Sequence, residues 1–316
     1  MTSVTPRGPV QFSTRGLPDA QRIALWEAHN ADALIGLRCR SLDEGTLDAT
    51  EINLQLPRLH LARVIGNPHV VERTTTTIRR TPSDAIACYF TLVGEAFFYH
   101  DDGVRRLRPG QLIICDADRP FMRGFSRGLE ELAIKVPRHD FARVTGVDAL
   151  KEPRTLDFAD GDVHARTLAR IVGRAVRPDG SQQVDEDTLL ELIRGLVTGR
   201  AAGLGTVHLV TAKAYIEDHL TDQGLTAARI AKGIGISERH LSRVFSSSGS
   251  TVPQYVLTRR LERARALLTE DGDLTVAEVA VRCGFGSAPY FSHAFKERYG
   301  LRATDLMRRA RATRDR

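Results

Sequence analysis

A pattern of two short helices joined by a tight turn occurs twice near the end of the chain, and it limits the fold more than any other feature. The copies are LTAARIAKGIGISERHLSRVF, residues 225–245, and LTVAEVAVRCGFGSAPYFSHAF, residues 274–295. Five residues coincide at an offset of 49 up to the turn glycine, and three more coincide at an offset of 50 beyond it. The matched pairs are Leu225 and Leu274, Thr226 and Thr275, Ala228 and Ala277, Ala231 and Ala280, Gly235 and Gly284, Ser237 and Ser287, Ser242 and Ser292, and Phe245 and Phe295. Matches in this order indicate a repeated structural unit.

Each copy carries the local signals of a helix-turn-helix unit. The small alanines let two helices approach closely, the glycine permits a sharp turn, and the serine after the glycine can cap the second helix. Pro289 falls in the first turn of the later helix, where a missing N–H costs nothing. One such motif alone would equally fit an ordinary helical hairpin, but this layout is also that of a DNA-reading unit. The duplication favours two such units, at about residues 225–247 and 274–298.

Between the copies, residues 253–268, PQYVLTRRLERARALL, predict a long helix that begins with a proline. Leu257, Leu261, Ala264 and Leu268 recur at helical spacing and are expected to face inward. A rigid helix of this length would hold two recognition helices at a fixed separation. Two recognition helices in successive major grooves on one face of DNA need about 34 Å between them.

The charge of the chain is unevenly distributed. Residues 206–316 contain 18 Lys and Arg against 12 Asp and Glu, an excess equal to the +6 of the whole chain, so the remainder is neutral. A basic C-terminal part joined to a neutral N-terminal part suggests a polyanion as the partner of the former. A solvated basic face would also account for so modest an excess.

Membrane proteins and zinc proteins are disfavoured by the rest of the sequence. No run of 18 or more apolar residues occurs, so no transmembrane helix is predicted. The cysteines are far apart, which argues against a zinc site and fits reduced thiols in a cytoplasm. They are Cys39, Cys88, Cys115 and Cys283.

Between about residues 46 and 137 the apolar pattern changes to short β-branched and aromatic runs separated by turn residues. The runs are 52–56, 59–65, 70–77, 85–93, 96–99, 111–115 and 129–136. The DDG at 101–103 is a hairpin signal. Six or seven strands at this spacing predict a small antiparallel barrel or sandwich, and the interior of such a barrel can hold a small molecule.

The barrel region offers candidate ligand contacts but no metal motif. The aromatic residues Phe90, Phe97 and Tyr99 are candidate contacts for a small molecule, with plain core packing as the alternative. LRPGQLIICDADRPF, residues 107–121, resembles a hairpin of cupin-like barrels, whose metal enzymes carry paired histidines and a downstream glutamate. The histidines here occur singly, at His60, His69 and His100.

The pattern becomes helical again over about residues 140–199. Two amphipathic segments are predicted, at 163–175 and 187–199. The stripe of the second is expected to pack on the barrel or on its helical neighbour, with a homodimer interface as the alternative. The short, Gly-containing segment 200–205 is the predicted domain boundary.

The last 105 or so residues resemble the DNA-binding domain of the AraC/XylS family of bacterial transcription regulators. The resemblance rests on both helix-turn-helix units, the connecting helix, GFGSAPYFSHAFKERYG at 284–300, and a closing helix after Leu301. FSTRGLP, VERT, LRPGQLIICDADRPF and LAIKVPR are similar to the barrel-type sensor domain of many members. The resemblance implies an α+β protein of two domains. A cupin-like antiparallel β-barrel with flanking helices would occupy residues 1–205, and an all-α DNA-binding domain residues 206–316.

The resemblance also assigns candidate DNA-binding residues. Arg239, Ser242 and Arg243 match groove-facing positions of the first unit, and an arginine can form two hydrogen bonds with guanine O6 and N7. In the second unit Ser292 and His293 match those positions, Pro289 could contact a thymine methyl, and Lys296 would hold a phosphate. We expect most sequence discrimination from the first unit.

The function implied is that of a DNA-binding transcriptional regulator, most often a ligand-responsive activator in this family, in the bacterial cytoplasm at the nucleoid. The implied partners are double-stranded promoter DNA, a small-molecule effector and RNA polymerase, with a homodimer left open. No cofactor, metal or membrane is expected. Two alternatives remain: a cupin-type metal enzyme with an accessory helical domain, and an architectural DNA-binding protein without a ligand.

Overall fold

The computed structural model describes residues 8–42, 46–159, 161–177, 184–199, 204–270 and 274–314. The chain divides into two compact units, Met1–Ala202 and Gly203–Arg316. The predicted boundary segment, 200–205, lies mostly outside the described residues. The first unit is built on antiparallel sheets and the second is helical, so the predicted fold class is confirmed.

The first unit contains strands from both ends of its sequence. The strands are β1 Val10–Ser13, β2 Arg38–Ser41, β3 Ala49–Gln55, β4 His60–Gly66, β5 His69–Arg73, β6 Ala85–Val93, β7 Ala96–His100, β8 Gly103–Leu107, β9 Gln111–Asp116, β10 Phe121–Phe125, β11 Leu129–Pro137 and β12 Arg154–Asp157. The helices are α1 Asp19–Ala33, α2 Thr75–Arg80, α3 Arg138–Thr145, α4 Val163–Ala175 and α5 Glu186–Thr198.

These strands form two antiparallel sheets that enclose a shared core. One sheet has the order β1-β3-β4-β11-β6-β9-β12 and the other β2-β5-β10-β7-β8. A single apolar cluster joins their facing sides, with Ala62 and Ala133 from the first sheet and Val71, Phe98 and Phe121 from the second. We call the space between the sheets the barrel interior. The β7–β8 hairpin pairs His100 with Gly103, as the DDG signal predicts.

The structure departs from the predicted strands at several points. β1, β2 and β12 lie outside 46–137, and these four-residue strands are too short for a period-2 pattern to reveal. Residues 75–77 were expected to be strand but begin α2 instead. The Thr74 hydroxyl accepts a hydrogen bond from the Thr77 amide at 3.1 Å and caps this helix, so a local cap overrides the β-propensity of the threonines.

Helices α3, α4 and α5 cover the outer face of the larger sheet. α3 and α4 contact β11, and α5 packs against both helices. The apolar stripe of α5 is buried within its own chain, with Leu189, Leu192 and Ile193 fully covered. This agrees with the prediction that the stripe packs on a helical neighbour.

The second unit contains the two predicted helix-turn-helix units joined by one long helix. Its helices are α6 Leu204–Asp218, α7 Ala227–Gly233, α8 Glu238–Ser247, α9 Val252–Glu270, α10 Val276–Arg282, α11 Ala288–Tyr299 and α12 Ala303–Arg314. Val252 and Val256 of α9 belong to the apolar core of the first helix-turn-helix unit. Leu261 and Leu268 belong to the apolar core of the second helix-turn-helix unit. The connecting helix is therefore part of both cores.

Candidate nucleic-acid interface

The second helix of each helix-turn-helix unit begins at the serine expected from the sequence. The Ser237 hydroxyl accepts a hydrogen bond from the His240 amide at 3.2 Å, and the Ser287 hydroxyl accepts one from the Tyr290 amide at 3.4 Å. The preceding helices, α7 and α10, are capped in the same way by Thr226 and Thr275. These caps set the residue at which each helix starts.

Helix α8 separates a buried face from an exposed one. Leu241 and Phe245 are fully buried in the apolar core, whereas Arg239, Ser242 and Arg243 are exposed. The exposed three are spaced i, i+3 and i+4 and therefore lie on one side of the helix. A convex helix face that carries two guanidinium groups can contact base edges and phosphates in a major groove.

Helix α11 repeats this division with different side chains. Phe291 and Phe295 are fully buried. The exposed residues at i, i+3, i+4 and i+7 are Pro289, Ser292, His293 and Lys296. The His293 imidazole lies 3.9 Å from the Glu297 carboxylate. This face therefore carries fewer cationic donors than that of α8.

A histidine that the sequence reasoning missed contacts the strongest candidate base reader. His240 Nδ1 accepts a hydrogen bond from Arg243 Nη2 at 2.7 Å, and its Nε2 lies 2.7 Å from Nδ1 of His208 on α6. Burial and the neighbouring His240 lower the pKa of His208, which favours its neutral form. The i, i+3 spacing of His240 and Arg243 was a usable signal, but the contact with His208 depends on tertiary packing.

Two arginines of α9 attach it to α6 and to the segment that follows α6. Arg259 forms an ion pair with Glu217 at 2.6 Å. Arg260 donates to the backbone carbonyls of Leu220 at 2.9 Å and Asp222 at 2.6 Å. Because α9 belongs to both cores, these bonds connect α6 to both helix-turn-helix units.

The turn of the second helix-turn-helix unit packs against the segment that follows α6. The Gln223 side-chain amide donates to the Phe285 carbonyl at 3.4 Å. A Cβ on Gly284 would lie 2.7 Å from the Leu220 carbonyl oxygen, whereas the equivalent Gly235 has open space around it. The turn glycine of the second unit is thus required by tertiary contact as well as by its backbone angle.

In the first unit, the candidate ligand residues do not line the barrel interior. Phe90 is fully buried on the opposite face of its sheet, where its ring packs against Phe158 at 5.5 Å. Phe97 and Tyr99 flank Phe98, which enters the interior, so strand alternation directs them outward. Tyr99 is 40% exposed. This placement corrects the expectation that these three aromatic side chains surround a ligand.

The barrel interior instead contains charged groups. The Arg123 guanidinium and the Glu131 carboxylate are both buried and form two hydrogen bonds, of 2.9 and 2.5 Å. Arg123 also lies over the Tyr89 ring, 3.9 Å from its centroid. Within the parts of the chain that the structure describes, no three His, Cys, Asp or Glu side chains are grouped to hold a metal ion. None of the helices searched there is long and apolar enough to span a bilayer.

Comparison with known proteins gives matches to both units. A family model described as a helix-turn-helix domain matches residues 230–309, and one described as an AraC-binding-like domain matches residues 26–199. The transcriptional activator NphR of Rhodococcus is 25% identical over 85% of this chain and 91% of its own. The transcriptional activator RhrA of Rhizobium meliloti is 33% identical, but over only a third of each chain. A crystal structure of the AraC-like transcriptional activator CuxR is 23% identical, covering 82% of this chain and 96% of its own, with a TM-score of 0.49.

Proposed function

This chain belongs to the AraC/XylS family of DNA-binding transcriptional regulators, and from that premise we propose that it is a ligand-responsive activator that contacts promoter DNA through both helix-turn-helix units. The observation that carries the proposal is the pair of exposed helix faces, on α8 and α11, attached to one connecting helix. Each face begins at a serine cap and is backed by its own apolar core.

The connecting helix supports simultaneous binding by both faces. α9 has 19 residues, which corresponds to a length of about 28 Å. That length is of the same order as the separation of about 34 Å between successive major grooves. Because α9 shares both cores and its arginines bond to α6 and the segment after it, the two faces move little relative to each other. A regulator built in this way reads two adjacent grooves rather than one.

The two faces divide the work of recognition in this proposal. Arg243 and Arg239 read bases, and His240 holds the Arg243 guanidinium in place before DNA is bound. Ser292, His293 and Pro289 make weaker contacts in the second groove, and Lys296 holds a phosphate. An arginine offers a planar pair of donors that matches guanine, whereas a neutral imidazole has a shorter reach and a single donor.

The β-rich unit, Met1–Ala202, supplies the response to a ligand. A small molecule in the barrel interior would change the placement of the DNA-binding unit at the promoter, for which a coupling of about 1–3 kcal/mol is sufficient. An activator of this kind then contacts RNA polymerase. The apolar stripe of α5 is covered within the chain, so we do not assign α5 to a dimer interface. A ligand-independent architectural protein would bind DNA identically with and without an effector.

The reader assignment is tested by Arg243→Ala, with His293→Ala at the equivalent position of α11 as the matched control. Arg243→Ala should weaken binding to the operator by about 1–3 kcal/mol and relax the preference at one base pair. His293→Ala should have a smaller effect. Binding is measured by fluorescence anisotropy on a set of operators with single base-pair changes, at a fixed salt concentration. Unchanged affinity and specificity in Arg243→Ala would show that the assigned register on DNA is wrong.

A further inference from the structure

A buried carboxylate in the barrel interior receives no hydrogen bond from the part of the chain that the structure describes. Glu51 lies on β3 and is 0% exposed. Among the described residues, neither of its carboxylate oxygens receives a hydrogen bond. The His29 imidazole of α1 lies close to it, with its Nε2 3.4 Å from Oε2.

The strand register places Glu51 among the side chains that face the other sheet. It pairs with Phe12 on β1 and with Val64 on β4, and Val64 pairs with Glu131 on β11. Glu131 in turn pairs with Thr91, whose buried hydroxyl also has no hydrogen-bond partner within the described ranges. Paired residues of neighbouring strands point to the same face. The row therefore crosses the interior wall and carries two carboxylates.

The two carboxylates differ in how they are neutralised. Glu131 receives two hydrogen bonds from Arg123, which is the arrangement that a buried charge requires. Among the described residues, Glu51 has no such arginine. A carboxylate buried without donors is strongly unfavourable, and an external group that supplies N–H donors and a positive charge would remove that penalty.

The His29 imidazole does not satisfy the Glu51 carboxylate, because His29 Nε2 is already hydrogen-bonded to the Asn53 side chain. One atom of the Asn53 side-chain amide lies 3.0 Å from His29 Nε2, and the other lies 2.7 Å from His60 Nε2. His60 Nδ1 is bonded to the Gln55 amide oxygen at 2.8 Å. In either orientation of the Asn53 amide, His29 Nε2 is committed to Asn53. At most it shares one proton with Glu51.

Aromatic rings surround the His29 imidazole that approaches the carboxylate. Phe12 stacks on the His29 ring at 4.2 Å, and Trp26 lies beside both rings. Val64 is the neighbour of Glu51 on the other side. A group suited to these surroundings carries N–H donors and a positive charge at one point and an apolar body elsewhere.

We propose that Glu51 recognises a cationic, N–H-bearing nitrogen of the effector, so that the effector is an amine rather than a carboxylic acid or a neutral compound. The inference rests on the proposed function, in which the first unit binds an effector. The ammonium donates hydrogen bonds to the two carboxylate oxygens, and its charge neutralises Glu51 as Arg123 neutralises Glu131. No covalent step is involved.

The binding test uses matched probes and the full-length chain. Methylamine and phenethylamine are titrated calorimetrically, with 2-phenylethanol and phenylacetate as neutral and anionic analogues. The amines should bind the wild type in preference to both analogues, and Glu51→Gln should weaken amine binding at least about tenfold, as expected for a hydrogen bond between charged groups. Glu72→Gln, which changes an exposed glutamate on β5, should bind like the wild type. Equal binding of amine and acid, no binding of either amine, or an unchanged affinity in Glu51→Gln would overturn the proposal.

A second measurement does not depend on the probe. Without any amine, Glu51→Gln should melt at the same temperature as the wild type or higher, because it removes an uncompensated buried charge. A lower melting temperature would show that Glu51 is already paired within the fold and would overturn the proposal. DNA binding is measured separately, so the two proposals fail independently. A chain that binds DNA but no amine contradicts this inference alone, and one that binds an amine but no DNA contradicts the proposed function alone.

Discussion

The turn glycines of the two helix-turn-helix units form a matched pair whose substitutions should differ in effect. Gly235 and Gly284 have φ values of +74° and +82°, in the left-handed region where an alanine costs about 1–2 kcal/mol. Alanine also restricts the unfolded chain, which offsets about 0.4–1 kcal/mol of that cost. A Cβ on Gly235 would meet no surrounding heavy atom within 4 Å. Gly235→Ala should therefore lower the free energy of unfolding by about 1 kcal/mol.

Gly284→Ala should cost more, because the added Cβ meets backbone. It would lie 2.7 Å from the Leu220 carbonyl oxygen and 3.0 Å from both the Thr221 carbonyl carbon and Arg260 Nε. Leu220 cannot move aside freely, since its carbonyl already accepts the Arg260 hydrogen bond of 2.9 Å. Forcing an extra carbon into a packed site costs about 1–3 kcal/mol beyond the backbone term. Gly284→Ala should lose about 2–4 kcal/mol in total.

The assay is denaturant unfolding of the full-length variants, followed by two signals. Far-UV circular dichroism is weighted towards the second unit, which contains most of the helical residues. Fluorescence of Trp26, the only tryptophan, reports the first unit and serves as the internal control. The midpoint of the dichroism transition should shift further for Gly284→Ala than for Gly235→Ala, with the fluorescence midpoint unchanged. Equal shifts for the two variants would refute the contact with Leu220.

Two other predictions concern DNA and pH. Lys296→Ala should weaken binding about equally for all sequences and reduce the slope of log K against log salt by about 1; a sequence-dependent loss in salt titrations would contradict a phosphate contact. Burial, and then the charges of Lys135 and His29, lower the pKa of His60 from 6.5 to about 4. The unfolded chain binds more protons between those values, so stability is fully present above pH about 6.5 and falls by about 3 kcal/mol as the pH approaches 4. Unfolding of the first unit, followed by Trp26 fluorescence across this pH range, measures the loss, and His60→Gln should flatten the curve.

The second unit was predictable because its signals are local. A serine or threonine before a helix, a glycine at a turn and apolar residues at a period of 3.6 each act within a few residues. The same information separates exposed Arg243 from buried Phe245, so the two helix faces could be read before the structure. The role of His240 was within reach of the same reasoning through its i, i+3 spacing.

The first unit was less predictable because a strand pattern does not say which face is inside. Phe97, Phe98 and Tyr99 read as one aromatic run, yet only Phe98 enters the barrel interior. A shift of one residue in register would exchange the faces, and register depends on partners far along the chain. Arg260 illustrates the same limit in the helical unit, since its bonds run to backbone carbonyls about 40 residues away.

The sequence by itself determined that this chain contains two capped helix-turn-helix units and a β-rich unit, and it identified the exposed faces of α8 and α11. Tertiary structure alone decided that Gly284 is enclosed while Gly235 is not and that α9 joins both cores. It also decided that Glu51 is buried with no donor among the described residues, while Glu131 is paired with Arg123. The physical reason is the distance along the chain over which each interaction acts. Caps, turns and helical periodicity are set by neighbouring residues, whereas burial, ion pairing and steric contact are set by segments that only the folded chain brings together.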